Sequence, residues 1–171
     1  SEQAEKPNNP PAPAIILVGA QLGENIGTVA RAMLNFGLTD LRLVSPRPGW
    51  QMARAVKASA GAEALIENHR LFDTVAAATA DLGFVAATTA RQRDMVKPVL
   101  TPAKLASEMR ARQTQTNPQS GILFGCERTG LDYDDISRAD AICSLPLNPK
   151  FSSPNLSHAV LLIDTDRSLA E

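Results

Sequence analysis

The chain has 171 residues, 44% of them hydrophobic, 20% charged and 4% aromatic, which suits one folded domain with a sizeable core. Its 17 Lys plus Arg stand against 18 Asp plus Glu, and a formal net charge of -1 excludes a binder working by bulk positive charge. No apolar run approaches the ~20 residues of a membrane span. Two cysteines, Cys126 and Cys143, make neither a zinc cage nor a disulfide framework, and two histidines argue against a histidine-based metal site, so we expect a cytoplasmic protein without metal or membrane contact.

Ser1 to Pro13 is rich in Pro and Asn and poor in apolar groups, which predicts a disordered leader, with residues 14–171 forming a single domain. The apolar run Ala14–Val18 predicts a buried strand. A loop follows, with Asn25 placed to cap a helix over Ile26–Phe36 that Gly37 would end. Leu41–Val44 reads as the next strand, closed by Ser45-Pro46-Arg47-Pro48-Gly49. Short helices are expected over Ala53–Ala60 and Ala62–Glu67, then a strand over Leu82–Ala87 and a polar loop from Thr88 to Pro98. Pro102 opens a helix to about Arg112; Gly121–Phe124 and Ala141–Leu145 read as strands, with a short acidic helix between them and a last helix from Leu156 onward. Strand alternating with helix predicts an α/β fold, a mainly parallel sheet with helices on both faces. In such sheets ligands sit beyond the carboxyl ends of the strands.

Four loops at those ends carry the candidate chemistry. The first, Gly19 to Gly27, lacks the G-x-G-x-x-G spacing of a dinucleotide turn, and the second strand ends in Ser45-Pro46 with no acid for a ribose hydroxyl. A nicotinamide dinucleotide is therefore disfavoured. Arg31 interrupts the otherwise apolar Ala30-Arg31-Ala32-Met33; taken alone, a solvated arginine is the simpler reading. Thr88-Thr89-Ala90-Arg91-Gln92-Arg93 combines small hydroxyl residues with two cations fit for phosphate. In Gly125-Cys126-Glu127-Arg128-Thr129-Gly130-Leu131 two glycines bracket an acid, and Pro146 to Asn155 supplies Ser and Asn donors and acceptors held by three prolines.

Together these segments resemble the RNA 2′-O-methyltransferases of the TrmH (SpoU) family in the SPOUT superfamily, most closely their TrmJ-type tRNA cytidine/uridine branch. Glu24-Asn25-Ile26-Gly27 with Ala30-Arg31-Ala32-Met33 resembles the first family motif, Phe124 to Leu131 the second, and Asn148-Pro149 with Ser152-Ser153-Pro154-Asn155-Leu156-Ser157-His158-Ala159-Val160 the third. Three motifs in order are far more specific than any one alone. The resemblance implies a C-terminal trefoil knot, S-adenosylmethionine as cofactor, and a homodimer. Carried over by position, the cofactor pocket comprises Thr88, Thr89, Ala90, Gly125, Leu145, Leu147, Ser152, Ser153 and Asn155. Arg31 falls on the family's catalytic arginine, with Asn25, Glu127, Ser153 and Asn155 as further polar positions of the catalytic centre. In the sequence Pro154 stands where the family usually has Leu, which removes one backbone donor.

The resulting expectation is transfer of a methyl group to a ribose 2′-hydroxyl in tRNA, at C or U of the anticodon loop. The alternative is a non-catalytic RNA-binding module on the same fold. RNA contacts are expected from Arg31, Arg91 and Arg93, and from Arg42, Arg47, Arg54 and Lys57 clustered around the second strand's end. Ile26, Val29 and Met33 with Leu156, Val160 and Ile163 are expected to form the apolar contact between subunits.

Overall fold

A computed structural model of the chain describes residues 12–50, 52–89, 97–112, 115–125 and 130–144. The elements, in chain order, are β1 (Ala14–Val18), α1 (Gly23–Asn35), β2 (Leu41–Val44), α2 (Met52–Ser59), α3 (Glu63–Glu67), β3 (Arg70–Phe72) and α4 (Val75–Thr79). They continue with β4 (Phe84–Thr89), β5 (Val99–Leu100), α5 (Pro102–Ala111), β6 (Ser120–Phe124), α6 (Tyr133–Ser137) and β7 (Ala141–Ser144). The strands form one sheet in the order β3-β2-β1-β6-β4-β7-β5, and every pairing is parallel.

Burial on both faces explains the continuous apolar strands. Alternate residues of β1 feed two cores: Ile15 and Leu17 meet α1, α2, α3 and α5, whereas Ala14 and Ile16 join the core that includes Val75 and Ile136 of α4 and α6. Helix α1 presents Ile26, Val29, Ala30 and Met33 to the sheet at helical spacing. It stops in a left-handed cap: Gly37 has φ +72, its N–H reaches the Leu34 carbonyl, and the Leu38 N–H reaches that of Met33. Gly27 matters for a different reason, because a Cβ there would run into the Ala55 carbonyl, so α2 rests directly on α1.

Several expectations need correction. Leu22, not Asn25, is the N-cap of α1, and no side chain caps it; Asn25 lies inside the first turn. β4 starts two residues later than predicted and includes Thr88 and Thr89, which were expected in a loop. The edge strand β3, the short β5 and helix α4 were not predicted at all. Leu145, the last helix and any knot lie outside the described residues, as does the leader up to residue 11.

Candidate functional site at the carboxyl edge of the sheet

Strands β6, β4 and β7 are neighbours and end together. Ala87 sits beside Leu123, Thr88 beside Cys143, and Thr89 beside Ser144. The chain therefore leaves the sheet from three adjacent strands at one edge to enter the three segments that the sequence marks for cofactor binding. Thr88 is buried and donates its hydroxyl to the Leu123 carbonyl at 2.8 Å, so that hydroxyl ties β4 to β6. At Gly125 a Cβ would collide with the backbone of Gly130 and Leu131; Gly130 itself has φ +71 and Leu131 is buried. Glycine at 125 is thus required for the two stems of the 126–129 segment to close on each other.

Sequence reasoning missed Lys97. Its ammonium donates to the Ser137 carbonyl at 2.9 Å and the Ala139 carbonyl at 2.5 Å, at the carboxyl end of α6. Next to it Pro98 accepts from the Ile142 N–H, and β5 pairs with β7. The downstream stem of the 90–96 segment is thereby fastened to the stretch that follows Gly125–Leu131. No local pattern announces such a residue, since its partners lie about forty positions away.

Helix α1 leaves the same edge from β1, beside β6. Its outer face carries Thr28, Arg31 and Leu34, with Leu22 just before it; both leucines are 48% exposed. Arg31 makes no hydrogen bond or ion pair with any described residue, and nothing described joins it to Thr88, Thr89 or Gly125. Ile26, Val29 and Met33 are fully buried inside their own chain, which corrects the expectation that they meet a second subunit. The large apolar groups exposed here are Leu34 on α1 and Leu22 just before it.

The expected cationic cluster also divides. Arg42 is 1% exposed and bonded to Asp40 (2.9 Å), Asp81 (2.6 Å) and the Ala78 carbonyl (2.7 Å), so it cannot touch RNA. Arg54 pairs with Glu24 at 3.3 Å. Arg47 and Lys57 are exposed and have no side-chain partner among the described residues. Of the other assigned positions, Ala90, Arg91, Arg93, Glu127, Leu145, Leu147, Ser152, Ser153 and Asn155 lie outside the described residues. Among the described residues no group of three or more His, Cys, Asp or Glu could hold a metal ion, and no helix is long and apolar enough to cross a membrane.

Comparison with known proteins agrees with this architecture. The sequence matches the SpoU rRNA Methylase family over residues 12–163. It is 37% identical over 151 residues to the tRNA (cytidine/uridine-2'-O-)-methyltransferase TrmJ of Yersinia enterocolitica, covering 87% of this chain and 57% of that protein. It is 32% identical over 153 residues to the tRNA (cytidine-2'-O-)-methyltransferase TrmJ of Methanocaldococcus jannaschii, covering 88% and 64%. The chain thus spans about three fifths of the length of the curated relatives it matches. The crystal structure of TrmJ from Z. mobilis ZM4 superposes with a TM-score of 0.82 at 50% identity, over 94% of this chain and 70% of that one. With three family motifs leading from one sheet edge and a match over most of its length, the chain belongs to the SpoU rRNA Methylase family.

Proposed function

We propose that this protein transfers a methyl group from S-adenosylmethionine to a ribose 2′-hydroxyl of tRNA, at C or U of the anticodon loop. The observation that carries the reading is the shared ending of β4, β6 and β7, which gathers the stems of all three cofactor segments at one edge. Thr88, Thr89 and Gly125 fit a pocket built from backbone: the Thr88 hydroxyl is committed to β6, and Gly125 has no room for a side chain. Ala90, Leu145, Leu147, Ser152, Ser153 and Asn155 complete the proposed cofactor site. The cofactor supplies a methyl group already activated by its sulfonium.

The protein's task is then to hold the ribose oxygen in line and to stabilise the charge that develops on it. Arg31 suits the second role. A guanidinium stays protonated and makes a poor base, but its fork of donors stabilises an oxyanion or clamps the neighbouring phosphate. Asn25 and Glu127 support it, and Arg91 and Arg93 contact the RNA. Arg31 lies about 12 Å along α1 from the helix start, on the outer face, which favours delivery to the active site of a second subunit. We therefore assign a homodimer with shared sites, acting on tRNA in the cytoplasm.

Two measurements test this. Calorimetry should show binding of S-adenosylmethionine, and nucleoside mass spectrometry of treated tRNA should show 2′-O-methylated C or U. Binding of tRNA with neither result would leave the non-catalytic RNA-binding module. For the dimer, Arg31→Ala protein is mixed with Asn155→Ala protein under subunit exchange. Shared sites predict that mixed dimers recover one working site in two; dead mixtures with proven exchange would assign each arginine to its own subunit.

A further inference from the structure

The loop between β2 and α2 is built more rigidly than a plain connection requires. The Ser45 N–H donates to the Phe72 carbonyl at 3.0 Å, and its hydroxyl donates to the Asp73 carbonyl at 2.7 Å. The Arg47 N–H donates to the Ala20 carbonyl at 2.8 Å, and the Trp50 N–H to the Arg47 carbonyl at 3.1 Å. Pro46 and Pro48 fix two further φ angles, and Trp50 packs edge-on against His69 at 5.5 Å. Ser45 also holds φ +42, a left-handed conformation that costs energy in a residue with a side chain. Strain of this kind persists only where the surroundings enforce it.

This frame presents one exposed charged side chain that nothing described in the chain uses, Arg47. The neighbouring arginines differ: Arg42 is buried in ion pairs and Arg54 is matched by Glu24, while Lys57 is exposed like Arg47 but stands on α2 rather than in this frame. The loop leaves the carboxyl edge where Val44 pairs with Val18, and its bond to Ala20 ties it to the turn that leads into α1. β2 is two strands from β6, so the loop's root is roughly 10 Å from Gly125 along the edge.

We propose that the Ser45–Trp50 loop is a second RNA contact, holding Arg47 ready for a backbone phosphate that flanks the target ribose. The inference rests on the methyltransferase reading for its substrate. In a protein of net charge -1, a guanidinium with no partner among the described residues, on a fixed loop beside the site, is the complement that a polyanion needs. Its planar fork matches a phosphate in two bonds, and a loop already ordered loses little freedom on binding.

Filter binding of end-labelled, unfractionated bacterial tRNA across a salt series tests the proposal. Arg47→Gln should weaken affinity about 5-fold and lower the slope of log affinity against log salt by roughly one. Arg47→Lys, which keeps charge but not the fork, should restore the slope and only part of the affinity. Arg138→Gln removes the same charge from an exposed residue at the opposite edge and should match the unaltered protein. Equal affinity and slope for Arg47→Gln and Arg138→Gln would overturn the proposal, as would absence of tRNA binding by the unaltered protein. A parallel methyl-transfer assay separates the two readings. Binding that depends on Arg47 without transfer sinks the activity alone; transfer with an unchanged KM for tRNA in Arg47→Gln sinks this contact alone.

Discussion

Two arginines at opposite edges of the sheet, Arg42 and Arg47, are used in opposite ways. At the amino edge Arg42 is enclosed by Asp40, Asp81 and the Ala78 carbonyl, and Arg70 adds a second cation to the same carboxylates. Nearby, Asp140 accepts from the Val85 N–H while its own N–H returns to the Val85 carbonyl. At the carboxyl edge Arg47 has no side-chain partner among the described residues, and α1, which leaves that edge, carries Arg31, likewise without a partner among them. The residue type is the same; what differs is whether the chain itself supplies the anion. An arginine already satisfied within the fold contributes to stability, and one left unmatched is available to a ligand.

That contrast can be broken from either side. Arg31→Ala should produce the largest effect, a loss of about 1,000-fold in the rate of methyl transfer, or roughly 4 kcal/mol of barrier. Its melting temperature and its affinity for S-adenosylmethionine should barely move, because the side chain is exposed and has no partner among the described residues. Transfer within twofold of the parent would refute the role. Arg42→Met should do the reverse, costing about 3 kcal/mol of stability in a denaturant titration, since a buried cation is removed from two carboxylates. Asp81 is 55% exposed, which keeps the figure at the lower end. Affinity for tRNA should stay within twofold; a larger fall would make Arg42 part of the RNA surface after all.

Gly125→Ala sharpens the comparison at the site itself. The methyl group meets backbone rather than a movable side chain, so we expect about 2 kcal/mol of destabilisation together with weaker binding of S-adenosylmethionine. Calorimetry showing unaltered binding would remove Gly125 from the pocket. The smallest effect is on pH dependence. Burial pushes Asp40 upward, but the hydrogen bonds and charge of Arg42 outweigh it, and both Asp40 and Asp81 titrate below the ordinary carboxylate value. Their stabilisation is complete above about pH 4 and fades as pH falls through the depressed values. Melting temperatures of the parent and Arg42→Met proteins should therefore converge on acidification; curves that stay parallel would mean that the network contributes nothing.

Much of the sheet was legible in the sequence because its inner strands are buried on both faces. Ala14–Val18 and Gly121–Phe124 are apolar runs of strand length, and Leu41–Val44 is apolar but for Arg42, so all three could be read directly. β3 escaped because Arg70-Leu71-Phe72 is a short edge strand with Leu71 61% exposed, so it has no burial pattern to betray it. Thr88 and Thr89 looked like loop by polarity. Yet a β-branched residue whose hydroxyl is bonded to the next strand belongs in a sheet. The candidate site was read chiefly through motif order, which singled out Arg31 and Gly125. The sequence did not separate Arg42 from Arg47. Only the fold shows which arginine has Asp81, about forty residues on, folded against it.

The place of β6 has a consequence for assembly. It lies between β1 and β4, so the hydrogen bond from Gln119 to the Ala12 carbonyl spans 107 residues of chain. β1, β2 and β3 can pair as soon as they are made, but the centre of the sheet stays open until Ser120–Phe124 is synthesised and inserted. Such late, non-local pairing slows folding and leaves the edges of β1 and β4 exposed in the interval. The edge that carries the candidate site therefore forms among the last, and a nascent chain halted before β6 holds only part of the sheet and none of the β6 stem that Gly125 closes.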